Sequence, residues 1–152
     1  MAVTNRNSTK YSNLHVNKYL ADARDRDGRI VPIPFAHTVV SGETGGASAG
    51  VRDTVNLCVL PANCEVVGFV MSREALGASA GSGVLLRIGD SGDDDRYMAE
   101  TDVDAAGTVA GLVFAGQGYR PTADTIVLAE WRTANPVVGK KFSGVFLVVP
   151  GA

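Results

Sequence analysis

Between Ile30 and Val149 the chain is written in short apolar runs, each cut off by Gly, Pro or Asn before a long helix could form. That punctuation constrains the fold more than any single motif. Ile30 to Val40, IVPIPFAHTVV, is the first strand candidate, and Pro32 and Pro34 make it an edge strand or a bent entry because neither can donate to a ladder. Thr54 to Leu60 alternates, with Val55, Leu57 and Val59 on one side and Asn56 and Cys58 on the other. Pro61-Ala62-Asn63 is a turn, and Cys64 to Ser72 returns as a second strand, so the pair reads as a hairpin. Val84 to Glu100, VLLRIGDSGDDDRYMAE, begins as a buried strand and turns into an acidic loop holding Asp90, Asp93, Asp94 and Asp95. Thr108 to Ala115 is a strand candidate broken by Gly111. Thr125 to Trp131 is a strong one by its β-branched and aromatic content, and Phe142 to Val149, almost wholly apolar, reads as central. The expectation is an all-β fold: one β-sandwich or jelly-roll domain, residues 30–152, of about eight short strands. No fixed-period repeat points to a solenoid or propeller.

Residues 1–29 are different. They hold six Lys or Arg against three Asp, while the remainder holds eight against thirteen acidic residues, so a basic arm precedes an acidic body. Val16, Tyr19, Leu20 and Ala23 fall at helical spacing, but so short a helix is marginal by itself. The arm is expected to order on docking, either on a partner or on its own domain. The segment MAVTNRNSTKYSN lacks the apolar core of a signal peptide, and no run approaches the ~18 apolar residues of a membrane span. The expectation is a protein that folds in the cytoplasm of whatever makes it, with no membrane partner. Cys58 and Cys64 are too few for a disulfide framework or a zinc site. The expected hairpin makes a bond between them conceivable, whereas cytoplasmic origin favours two buried thiols.

Chemistry-bearing patterns are thin. Asp90, Asp93 and Asp95 are the candidate cation ligands, since calcium takes hard oxygen donors; the spacing is not that of an EF-hand loop, and clustered Asp also suits a solvated turn. The histidines, His15 and His37, cannot supply a cupin-type metal site, and no GxSxG accompanies them. The Gly clusters lack the Lys-Ser/Thr ending of a phosphate-binding loop. The arm's Arg6, Lys10, Tyr11, Lys18 and Tyr19 are sparse for a nucleic-acid surface. Trp131 and Tyr119 could form part of a sugar platform, though one Trp ending an apolar strand is also ordinary core packing. The reading is a non-enzyme with no cofactor and no nucleic-acid partner.

The order of Leu60-Pro61-Ala62, VVGFVM (66–71), IGDSGDDDRYM (88–98), ADTIVL (123–128) and GVFLVV (144–149) resembles the decoration, or cement, proteins of tailed bacteriophages. The likeness covers about two thirds of the chain, and its motifs are strands and turns rather than a chemical signature. It implies a β-sandwich or jelly-roll body outside an icosahedral head, assembled as a homotrimer and clamping neighbouring major capsid subunits. It also implies a gripping arm, here carried by Lys10, Tyr11, Leu14, His15, Tyr19 and Leu20. Another virion part, such as a head-fibre base, tail or host-recognition module, shares the same expectations, as does a soluble carbohydrate-binding module.

Overall fold

The apolar runs resolve into two sheets laid face to face, because each run has one side that must be covered. The computed structural model describes residues 5–7, 30–45 and 53–151. Its strands are β1 (Asn5–Asn7), β2 (Val31–Thr38), β3 (Thr54–Leu60), β4 (Glu65–Arg73), β5 (Leu85–Asp90), β6 (Asp93–Asp102), β7 (Gly107–Ala110), β8 (Thr125–Trp131) and β9 (Lys141–Val149). One sheet runs β1-β3-β8-β5-β6 and the other β2-β9-β4-β7. The pairings are antiparallel except β1 with β3. The all-β sandwich is as expected, and so are two placements within it. Pro32 and Pro34 sit on an edge strand, and β9 lies inside its sheet between β2 and β4.

The expected hairpin of β3 with β4 does not form. β3 pairs with β8 and β1, while β4 pairs with β9 and β7 in the opposite sheet. Pro61–Asn63 is a corner between layers. Asn63 takes a positive φ of 61°, its N–H donates to Pro121 O at 2.6 Å, and Ala62 N–H donates to Asp124 Oδ1 at 2.9 Å. Burial explains the choice. Val55 to Leu60 are all buried, which an edge hairpin with one dry face could not achieve. The strict alternation expected of this strand is broken too. A bulge between Asn56 and Cys58 shifts the register, so Cys58 and Leu60 join the central cluster and Val59 does not.

The second correction concerns the acidic stretch. Asp90 ends β5, Ser91-Gly92 is a tight turn, and Asp93 to Asp102 is a ten-residue strand. The expected loop is therefore a hairpin, and the polar run after it is strand as far as Asp102. The strand expected over 108–115 is only Gly107–Ala110; Gly111, with φ of 93°, ends it, and a 3-10 turn follows at Phe114–Gly116.

Aromatic rings join the layers. Phe35, Phe69 and Phe146 cluster on the four-stranded sheet, with centroids 5.0–6.2 Å apart. Trp131 and Tyr97 come from the other sheet and meet Phe142 and Phe146 edge-on, at 5.8 and 5.1 Å. Gly144 makes room for this: a Cβ there would lie 2.5 Å from the Phe35 ring and 2.3 Å from the Val70 carbonyl. Trp131 is wholly buried, so it forms no sugar platform.

Cys58 and Cys64 are free thiols and both buried. Burial pushes both thiols up, Cys64 to about 11 and Cys58 further, with Cys64 adding to the effect on Cys58. Since the thiolate is the reactive form, neither is expected to react with an aromatic disulfide reagent at pH 8 in the native protein. Both should react once the chain is unfolded in guanidinium, which a colorimetric thiol count would check.

Candidate functional site

Three polar arrangements stand out among the described residues, and each is built by strand geometry. The first is the β5–β6 hairpin. Asp90 closes the turn: its Oδ1 accepts from Gly92 N–H at 2.9 Å and Asp93 N–H at 3.1 Å. Its Oδ2 accepts from Arg96 Nε at 2.7 Å and from the Tyr97 hydroxyl at 3.0 Å. Arg96 then lies over the Tyr119 ring, 3.9 Å from its centroid. Burial first, and then the Asp90 carboxylate, push the Tyr97 phenol well above its ordinary value. Gly89 is required here, because a Cβ would meet the Asp93 carbonyl at 2.2 Å. The GDSGDDDRY run thus encodes a braced hairpin.

The candidate cation ligands separate in this geometry. Carboxylate oxygens of Asp93, Asp94 and Asp95 gather within 4.8 Å of one another, while Asp90 is engaged by the turn and by Arg96. Asp94 pairs with Arg87, and Asp93 lies 3.9 Å from Arg96. A hydrogen bond with Asp93, then burial and the neighbouring carboxylates, hold the Asp95 carboxyl above its usual range. The group is mostly exposed and partly neutralised by arginine.

The second arrangement is the outer face of the five-stranded sheet. Arg87 on β5 donates to its register partner Glu130 on β8 at 2.8 Å. Arg132 joins Glu130 at 3.1 Å to Glu100 on β6 at 2.7 Å. The other sheet carries the Arg120–Glu65 pair at the start of β4. There Pro34, Ala36, Val70, Ser72, Ser143 and Val145 line a shallow depression with no charged residue among them.

The third is buried. Glu43 follows β2 on a short loop, and its side chain is fully enclosed. Its Oε1 takes His37 Nε2 at 2.8 Å and Val40 N–H at 2.9 Å, and its Oε2 takes Trp131 Nε1–H at 2.8 Å. Burial raises the Glu43 carboxyl, but the bonds from His37, Val40 and Trp131 together outweigh it and hold the group below its ordinary range. The histidine and glutamate form a sealed pair, 3% and 0% exposed, that ties β2 to β8 across the layers. Sequence reasoning missed Glu43 because its partners stand 6 and 88 positions away.

Most of the arm, with Lys10, Tyr11, Leu14, His15, Tyr19 and Leu20, lies outside the described residues. Only Asn5–Asn7 is placed, as β1 against Thr54–Asn56.

No family model matches the chain, and neither does any curated protein. Solved structures do. A chain in the capsid of Ralstonia phage GP4 superposes with a TM-score of 0.68 at 20% identity, over 84% of this chain and 88% of that one. A chain of the cyanophage Pam1 capsid asymmetric unit gives 0.60 at 19% identity, over 82% and 89%. One from the acid-stable capsid of Helicobacter pylori bacteriophage KHP30 gives 0.56 at 17%, over 83% and 92%. The two-sheet body, nearly end to end, is a fold that this chain shares with chains from three phage capsids.

Proposed function

We propose that this chain is a virion structural protein, and that within the virion it decorates the outside of a phage head and cements neighbouring major capsid subunits. The observation that carries the reading is the near-complete overlap of its fold with chains found in phage capsids. The division of its surface agrees. A face laced with ion pairs suits water, while the uncharged depression on the four-stranded sheet suits a protein neighbour. Asp90 braces a turn and Glu43 ties the two layers, which is what a clamp requires.

In this reading the arm is the grip, with Lys10, Tyr11, Leu14, His15, Tyr19 and Leu20 making the contact, and the working unit is a trimer. A segment that orders on docking covers much surface at modest affinity per unit area, and three linked copies restore strength through effective concentration. The test is co-sedimentation with coat shells of the source phage. Full-length protein carrying Tyr11→Ala, Leu14→Ala, Tyr19→Ala and Leu20→Ala together should keep the wild-type melting temperature and bind shells at least about tenfold more weakly. Equal binding would remove the arm from the contact. No binding of the wild type to any shell would remove the decoration role.

A further inference from the structure

A β-sandwich has four open edges, and in this one three carry devices against strand addition. The β2 edge holds Pro32 and Pro34. The β6 edge carries Asp93, Asp94, Asp95, Glu100 and Asp102. The β7 edge is four residues long and ends at Gly111 with its positive φ. The fourth edge is β3, TVNLCVL, which has neither proline nor charge. It is also the edge on which a strand sits: β1 pairs there in parallel, Asn5 opposite Thr54, Arg6 opposite Val55 and Asn7 opposite Asn56.

We infer that the β3 edge is a strand-acceptor site whose occupant in an assembly is the Asn5–Asn7 strand of a second copy of this chain. Three points carry this. The site is the edge without protection, so it is kept for a strand rather than guarded from one. The pairing is parallel and involves no tight turn, so the ladder is the same whichever chain supplies the strand. And residues 8–29, which join β1 to the body, can reach ~70 Å when extended, several times the ~10 Å between packed sheets. The two arrangements then differ only in effective concentration, and crowding of copies favours exchange. The inference does not rest on the phage-head reading; it needs only neighbours of the same kind.

The test uses full-length protein. Asn5→Cys and Thr54→Cys are made separately and together; the native thiols are buried. The single variants are mixed at about millimolar concentration, where exchange should compete with self-pairing, and mildly oxidised. Exchange predicts a reducible heterodimer at least about tenfold above the covalent dimer that either single variant gives alone. The double variant tests the register. If it closes its bond within one chain while the mixture stays at the single-variant background, the strand belongs to its own body and the inference fails. If neither sample forms a bond, β1 does not occupy this edge and the inference fails as well. Shell co-sedimentation of the same variants reads the decoration role separately.

Discussion

Replacing Glu43 with alanine should lower the unfolding free energy by about 3–5 kcal/mol, because it removes a buried carboxylate that accepts three hydrogen bonds at once. The change leaves the Trp131 indole N–H, the Val40 amide and His37 Nε2 without their acceptor, in a region where Trp131 and His37 are almost wholly buried. Each abandoned donor costs about 1–3 kcal/mol, less whatever water can enter to satisfy. Against a typical total of about 5–15 kcal/mol, that brings the fold near its limit. Urea unfolding followed by circular dichroism would read it as a lower midpoint with an unchanged slope. Glu43→Gln, which keeps one acceptor oxygen, should lose less. A midpoint within error of wild type for the alanine variant would mean the tie does not hold the layers.

The same tie has a pH signature. The Glu43 carboxyl lies below its ordinary 4.5 in the folded state. The stability it contributes is therefore complete above that value and is lost as pH falls through the lower, folded one. Wild type should lose stability on acidification below about pH 4.5, and Glu43→Gln should show a shallower loss over the same window. Parallel curves for the two proteins would assign the acid sensitivity to other carboxylates.

Asp90→Ala is expected to cost about 2–4 kcal/mol, because one carboxylate closes the turn, receives Arg96 and satisfies the buried Tyr97 hydroxyl. Arg96 is partly exposed and keeps Tyr119 beneath it, so most of the loss comes from the turn amides and the stranded hydroxyl. That makes a sharper test available. Adding Tyr97→Phe to Asp90→Ala removes the orphan, and the double variant should regain about 1 kcal/mol over Asp90→Ala alone. In wild type the same Tyr97→Phe change should instead destabilise. If the two substitutions simply add, the hydroxyl is not paired with Asp90.

How far the sequence could be read depends on whether the deciding interaction was local. Pro32 and Pro34 declare an edge through their missing N–H groups, and Phe142–Val149 declares an interior strand through its composition, so both were legible. β6 was not. Asp is disfavoured in strands, and DDDRYMAETD looks like a loop until Arg87 and Arg96 are seen to answer its carboxylates. The β3–β4 connection misled for a related reason. A Pro-Ala-Asn turn between two apolar runs fits a hairpin equally well, and contacts with Pro121 and Asp124, about 60 residues on, decide for a corner. The bulge at Asn56–Cys58 has no glycine or proline to announce it. Glu43 sits in SGETGG, which has every mark of a loop, and nothing near it shows that its side chain is buried under Trp131.

The corner at Pro61–Asn63 also bears on how the molecule comes into being. β2 finds its partner only in β9, near the far end of the chain, and β4, next after the corner, needs that same strand. The four-stranded layer therefore cannot close in chain order: β4 and β7 can pair early, but β2 waits for β9, which begins at Lys141. Topologies dominated by such distant pairings acquire their structure slowly. A chain made only as far as β8 thus presents β2 without its ladder partner rather than a finished layer.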